Sequence, residues 1–413
     1  MIAGRVAIVG GGINGLAIAR QLLANHPNLS VTVFEKEAEV ALHQSSHNSG
    51  VVHAGLYYEP GSLKARFCAR GRELLREYCI DRGLPYDECG KLVVALTEDE
   101  LPRLEAIFAR ARANGVPGIR LIGADEIREI EPHCRGLRAL HSPQTAIVSY
   151  RRVAEEFARE IAAAGGEIRL GVTVARLIES ADGVVLEGAD GPLPDARFDQ
   201  VVACAGLQSD RLASRSGQTA EPRIVPFFGQ YYVVDSAFRG HVRGLIYPVP
   251  DPKFPFLGVH FTKRIDGEMT IGPNAFISLG RENYSGRDVS IRDVRDFLLY
   301  PAFWRFASRN IPATLRELRT VISANAFVRD AAKYVPSLRN VPVSPAVRGI
   351  RAQAMTADGK LVDDFVIQRR GRVTHLRNAP SPGATSSMAI AEHIAREILD
   401  VGGATFLQRG EAA

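Results

Sequence analysis

VAIVGGGINGLAIARQLLANHPNLSVTVFE, residues Val6–Glu35, is the stretch whose reading decides the fold of this chain. The run Arg5–Val9 is apolar and β-branched, as a strand buried on both faces should be. It leads into Gly10, Gly12 and Gly15, spaced as G-x-G-x-x-G, and then into a helix expected over Leu16–Ala24. A second strand over Val31–Phe34 ends at Glu35, 20 residues after Gly15 (35 − 15). Each piece has a physical task in a dinucleotide crevice. Gly10 permits the turn out of the strand, Gly12 lets a pyrophosphate approach the backbone, and Gly15 lets the helix pack close to the sheet. N–H groups around Ile13 and Asn14 then face the phosphates with the helix dipole behind them. Glu35, followed by Lys36, is placed to accept hydrogen bonds from ribose hydroxyls, and a carboxylate there argues against NADP. FAD and NAD both remain open on these residues.

Length and composition bound the remainder. At 413 residues the chain exceeds one ordinary core, so two or three domains are expected. Composition is that of a soluble globular protein, and a net charge of +5 is too mild to argue nucleic-acid binding. The first strand begins almost at residue one, leaving no room for a signal peptide. No apolar run reaches the ~18 residues of a membrane span. Cys68, Cys79, Cys89, Cys134 and Cys204 are odd in number and form no C-x-x-C pair. Reduced thiols and a cytoplasmic location are the expectation, with no disulfide framework and no metal site.

Beyond Glu35, His43–Gly50 (HQSSHNSG) is polar and follows neither period, and VVHAGLYYEPGS follows it. Small and polar residues this dense, just after a nucleotide unit, suit a loop pressed on a flat ligand. Leu63–Arg82 reads as a helix and Lys91–Leu96 as a strand, with Thr97 and Glu100 forming a capping box. Asp125–Glu131 is a short helix stopped by Pro132, and Ser149 caps Arg151–Ala164. Strands follow at Glu167–Leu170, Val172–Ile178 and Val184–Leu186, with a turn at Asp182-Gly183. Gln200–Gly206 is a second buried strand ending in Ala-Gly, which returns the chain to the nucleotide domain.

Phe227–Asp235, Gly244–Pro248, Phe256–Thr262 and Glu268–Pro273 alternate as an antiparallel sheet should, turning at Asp266-Gly267. Arg287–Asn310 is helical, with Phe297, Tyr300, Phe303 and Trp304 interleaved by arginines. Two readings stand for it: a helical pair packed on the second domain, or contact with an anionic membrane surface. Nucleic acid is set aside, since no matching fold accompanies the basic residues. At the end, strand Val373–Leu376, loop Asn378–Thr385 and helix Ser387–Leu399 repeat the strand–loop–helix design, with amide donors at the helix start. The fold class is therefore α/β: a discontinuous Rossmann-like FAD-binding domain (1–90, 146–220 and 346–413) and an inserted mixed or antiparallel sheet with helices (91–145 and 221–345) as substrate domain. Nucleotide-type segments at both ends and in the middle favour a flavin over NAD, which needs one contiguous unit.

The glycine motif with the SPGATSS loop resembles the flavoprotein superfamily of D-amino-acid oxidase, glycine oxidase and glycerol-3-phosphate dehydrogenase. HQSSHNSGVVHAGLYYEPGSLKARFC, GVHFTKRIDGEMTIGPNA, GIRAQ with LVDDFVI, and NAPSPGATSS narrow this. Together they are similar to the L-2-hydroxyglutarate oxidase/dehydrogenase family over essentially the whole chain. Ser46 stands where Gly is expected. The resemblance implies FAD-dependent oxidation of L-2-hydroxyglutarate to 2-oxoglutarate, by hydride transfer from C2 to flavin N5. Electrons would pass to a quinone, an artificial dye or oxygen. An amine or amino-acid oxidase making hydrogen peroxide is the alternative, and a non-catalytic nucleotide sensor the third.

The resemblance also assigns residues. Gly10, Gly12, Gly15 and Glu35 would hold the ADP half, and Val174 would line the adenine or simply pack in the core. Ser45, Asn48 and Ser49 would meet the pyrophosphate or the ring edge, with His47 in the cofactor shell. Ala205 and Gly206 would approach the ADP portion. Gly383, Ala384 and Thr385 would offer N–H groups near the flavin N1–C2 region. A neutral histidine suits the C2 hydroxyl proton, and His53 and His260 are the candidates, His53 slightly favoured. The dianion needs cations: Arg351 as a bidentate clamp beside C2, and Lys64, Arg66 or Lys263 for the distal carboxylate. Tyr57 and Tyr58 would donate hydrogen bonds or wall the pocket. His43 and His47 are the possible covalent attachment points, with non-covalent binding expected.

Overall fold

The computed structural model describes residues 4–251, 258–311, 323–346 and 348–410. The opening unit forms as strand Gly4–Val9, helix Ile13–Asn25 and strand Leu29–Phe34. The two strands are parallel neighbours in register from Gly4↔Leu29 to Val9↔Phe34. They sit inside a six-stranded sheet in the order Val366–Arg370, Val373–Asn378, Gln200–Ala203, Gly4–Val9, Leu29–Phe34, Glu167–Arg169. All its pairings are parallel except that of the edge strand Val366–Arg370.

Helices Ile13–Asn25, Tyr150–Ala163 and Ser387–Gly410 cover one face. Leu16, Leu22, Phe157, Ile161, Ile390 and Ile394 bury themselves there against Val6, Ile8, Val31 and Val33. The other face is covered by the antiparallel meander Arg176–Ser180, Gly183–Glu187, Pro192–Phe198. Its Phe198 meets Phe34 edge-on at 5.7 Å. A sheet buried on both faces accounts for the uninterrupted apolar runs of its strands.

A second, eight-stranded sheet runs Val343–Pro345, Tyr232–Val234, Met269–Gly272, His260–Lys263, Leu245–Pro248, Lys91–Ala95, Arg138–Ser142, Arg120–Gly123. Its pairings are antiparallel except that of Leu245–Pro248 with Lys91–Ala95. The strands expected from alternation form an antiparallel part of it, and Lys91–Ala95 joins them in parallel to make the sheet mixed. The antiparallel set Phe276–Ile277, Arg223–Gly229, Gly349–Met355 forms a third layer.

Some elements differ from expectation for identifiable reasons. The first helix starts at Ile13 rather than Leu16, because Ser45 Oγ accepts the Ile13 N–H at 3.0 Å from a distant loop. Val172–Ala175 is not strand: Val172 N–H is spent on Glu35 O and Ala175 N–H on Glu187 O, so this segment crosses between sheets. Phe227–Asp235 splits between two sheets after Gly229, where a Cβ would lie 2.8 Å from Pro273 Cβ. Arg287–Asn310 is a helical pair, Ile291–Leu298 and Pro301–Arg309, because Pro301 can only start a helix. Phe297, Tyr300 and Ala302 pack on Val225, Phe227 and Met355, while Leu299 and Trp304 stay exposed. Phe256 and Leu257 of the expected strand lie outside the described residues. Among the described residues no helix is long and apolar enough to cross a membrane.

Candidate active site

A cavity of 1620 Å³ opens where the six-stranded sheet, the eight-stranded sheet and the Gly349–Met355 strand converge. That exceeds the ~300–1,000 Å³ of a pocket for one drug-sized molecule and suits a dinucleotide with a small substrate. Every residue expected to hold the cofactor lines it, as do His53, Tyr57, Tyr58, Lys64, His260 and Arg351. Arg66, exposed on its helix, and Lys263, bonded to Asp87 at 2.7 Å, do not.

The glycines act through close approach. Gly10 has φ +113°, and a Cβ there would sit 2.4 Å from Cys204 O. At Gly15 a Cβ would meet Gly10 O at 2.0 Å, so helix and turn can touch only without a side chain. A Cβ on Gly12 would meet nothing closer than Ser45 Oγ at 3.4 Å, so its bareness serves whatever enters the cavity. Glu35 is buried and held by the N–H groups of Gly11 (2.7 Å, to Oε2) and Glu37 (3.0 Å, to Oε1). Asn14 Oδ1 is buried at the cavity without a partner among the described residues. A bare glycine fits the close approach of a pyrophosphate, and an orphaned amide oxygen and a fixed carboxylate at the end of the second strand, both acceptors, fit the hydroxyls of FAD.

The polar loop is knitted by its own side chains. Asn48 Nδ2 donates to Gln44 O and Ser45 O, its Oδ1 accepts from Gly50 N–H, and His47 donates through Nδ1 to His43 O. Ser45 and Asn48 thus shape the cradle as well as facing it. His47 stacks on Tyr284 at 4.0 Å, while Lys36 bridges Glu37 and Glu282. Glu37, His43 and Glu282 converge closely enough to suit a metal, but the Lys36 ammonium already supplies positive charge between the carboxylates.

At the other end, Thr385 Oγ1 accepts the His53 N–H at 3.2 Å and pairs with Tyr150 OH at 2.7 Å. Gly383 N–H is spent on Pro380 O, so of the three expected amides those of Ala384 and Thr385 remain at the cavity wall. Gly71 makes this possible: a Cβ there would sit 2.4 Å from Thr385 O. Asn114 Nδ2 donates to Gly55 O and Tyr58 O, fixing the segment that carries Tyr57 and Tyr58. The Tyr57 hydroxyl is buried without a partner among the described residues.

His53 is half-buried, with Nε2 3.2 Å from Ser381 Oγ. His260 is 5% exposed and donates through Nδ1 to Gly258 O at 2.9 Å. Burial pushes both imidazoles down to about 3, and Lys91 adds to this in each case. Arg351, placed opposite Phe227, acts electrostatically on His260, Tyr231 and Tyr247. Sequence reading missed Tyr150, Tyr231, Tyr247, Lys91 and Ser381. Each is an ordinary strand, helix or loop residue until the sheets assemble, and only the proline-rich surroundings of Ser381 signal anything locally.

Comparison with known proteins points the same way. The profile of the FAD dependent oxidoreductase family matches residues 5–397. The human protein named L-2-hydroxyglutarate dehydrogenase, mitochondrial, is 45% identical over 95% of this chain and 88% of its own length. Its namesake from Caenorhabditis elegans is 44% identical over 96% of this chain and 93% of its own. Among solved structures, L-alpha-glycerophosphate oxidase from Mycoplasma pneumoniae with FAD bound matches at TM-score 0.76 and 22% identity, covering 96% of this chain and 95% of that one. The last speaks to fold alone. The mitochondrial relatives overturn the cytoplasmic expectation. Cysteine number and spacing bear on disulfides and do not single out one compartment.

Proposed function

The chain belongs to the FAD-dependent oxidoreductase family, and from that premise we infer that it is an L-2-hydroxyglutarate dehydrogenase, oxidising the C2 alcohol of that dianion to the ketone of 2-oxoglutarate. The observation that carries this is 45% identity over 95% of the chain to a protein of that name. FAD, when bound, supplies the acceptor for the two electrons that leave C2 as hydride. We also propose a role for each residue of the site.

Gly10, Gly12 and the amides opening Ile13–Asn25 bind the pyrophosphate, and Glu35 takes ribose hydroxyls. Arg351 clamps the carboxylate beside C2 as a planar, bidentate donor. Lys64, steadied by Asp363 at 2.7 Å, meets the distal carboxylate, with Tyr57 and Tyr58 as walls. As the C2–H and O–H bonds break and C2=O forms, the hydroxyl proton goes to His260 Nε2. Burial keeps both imidazoles neutral, and one feature supports His260 over His53: its Nδ1–H is committed to a carbonyl, which leaves Nε2 with a lone pair. The bond from His53 to Ser381 fixes no tautomer, so His53 is the alternative acceptor. Electrons then leave to a quinone, or to a dye in an assay.

Anaerobic mixing with L- and D-2-hydroxyglutarate side by side tests this. The flavin absorbance should bleach with the L-isomer alone. Bleaching by glycine, D-alanine or sarcosine instead would make the protein an amine oxidase, and no bleaching at all would overturn the assignment.

A further inference from the structure

A buried cation lies behind the site, and none of the roles assigned there uses it. Lys91 opens the strand Lys91–Ala95 and is 2% exposed. Its ammonium has no carboxylate partner among the described residues; the groups that favour its charge are the thiols of Cys68 and Cys89. An unpaired buried ammonium is expensive, and lysines in such places ordinarily acquire an acid or lose the proton. What Lys91 has instead is aromatic: Nζ stands 3.9 Å from the centroid of the Tyr247 ring and 5.7 Å from that of Tyr57. The Tyr247 ring in turn stacks on His260 at 3.8 Å and 27°.

Topology explains this sandwich. Leu245–Pro248 lies between Lys91–Ala95 and His260–Lys263 in the sheet. The parallel register Leu245↔Lys91 puts Lys91 and Tyr247 on one face, two residues apart along the strands. The antiparallel register Ile246↔Phe261 brings Tyr247 beside His260 on that same face. One tyrosine ring therefore separates a lysine from the imidazole at the cavity.

We propose that Lys91 is a positioning residue for this oxidation, its ammonium holding the Tyr247 ring against His260 and so keeping that imidazole a neutral proton acceptor. The proposal rests on His260 as the acceptor in the assigned reaction. A ring already engaged by one cation at 3.9 Å is a poor neighbour for a second, so protonating His260 would set two positive charges about one quadrupole. Besides Lys91, the charged groups that bear on the two histidines are Arg351, on His260, and Lys64, on His53, both cationic, while Tyr231 bears on Tyr247 and the Tyr57 ring lies 5.7 Å from the Lys91 ammonium. Burial works in the same direction, taking Lys91 down to about 8 and His260 to about 3. The ammonium thus still carries its charge at neutral pH.

The test compares holoenzyme with Lys91→Met and Lys91→Arg. One readout is the pH profile of kcat/KM. The other is titration of isotope-labelled His260 by NMR, its signal identified by its loss in His260→Asn. Lys91→Met should move the acid limb and the His260 midpoint up by about one pH unit or more, while Lys91→Arg should leave both near wild type. An unmoved His260 midpoint in Lys91→Met overturns the proposal, whatever happens to rate. Should the methionine variant fail to hold FAD, the wild-type titration decides alone: His260 protonating near the ordinary imidazole value overturns it. A wild-type enzyme inert towards L-2-hydroxyglutarate would instead sink the assigned reaction, with the His260 titration still readable.

Discussion

Two imidazoles face one cavity, and their hydrogen bonds give them different work. His260 is committed at Nδ1 to a backbone carbonyl and stacked on a ring, so its Nε2 has a fixed direction. His53 is tied through its backbone and Ser381 to the loop that precedes the last helix. His260→Ala is expected to lower kcat by ~10²–10⁴ with a smaller effect on KM. His53→Ala should cost less; the reverse order in steady-state kinetics would hand the proton to His53. Arg351→Ala should raise KM about 10–100-fold, the range of a lost charge-assisted hydrogen bond. An unchanged KM would remove it from the clamp. Of these groups the two histidines and Arg351 were legible in the sequence, because their side chains announce their chemistry. Arg66 and Lys263 announced the same chemistry and are elsewhere, since charge alone does not say which way a strand or helix turns.

Between elements, two contacts decide whether the cavity keeps its shape. Helix Leu63–Asp81 presses on the loop that carries Thr385 through Gly71. Gly71→Ala would drive a methyl into the Thr385 carbonyl at 2.4 Å, moving helix or loop. The expected outcome is weaker FAD retention on gel filtration and a lower melting temperature, although no cofactor contact is removed. The second contact is the Arg281–Asp210 pair, both buried, closed by a 2.9 Å bond from Nη2 to Oδ2. Arg281 also donates to Leu207 O and Ile224 O, and Asp210 accepts the Ile224 N–H. It joins the segment after Phe276–Ile277 to the helix Ser209–Arg215. Asp210→Ala strands a guanidinium out of water and should cost about 3–5 kcal/mol, measured by denaturant unfolding of the holoenzyme. The strands and helices themselves were readable from period and punctuation. Their mutual approach was not, because the residues that set it lie 71 (281 − 210) and 314 (385 − 71) apart in the chain.

For the molecule as a whole, a cavity shared by three layers makes ligand binding part of stability. FAD binds the folded chain and not the unfolded one, so added FAD should raise the melting temperature of deflavinated protein in a concentration-dependent way. Protons act oppositely. His53 and His260 stay neutral in the folded protein down to about 3, whereas an unfolded imidazole titrates near 6.5. Between those values the unfolded chain binds more protons, so stability is full above about pH 6.5 and is lost as pH falls towards 3. Melting curves from pH 7 to 4.5 should show this decline, and His260→Gln should make it shallower; an equal slope would mean His260 is already protonated when folded.

The sequence by itself determined the dinucleotide crevice, the inserted sheet and the chemical types gathered around them. Those arise from local physics: glycine dihedrals, a period of two or 3.6, and the charge a side chain carries. Only the tertiary structure decided that Tyr247 stands between Lys91 and His260 and that Gly71 admits the Thr385 loop. Strand register across long connections is set by how whole faces bury. No short window of sequence contains Lys91 with Tyr247, or Gly71 with Thr385.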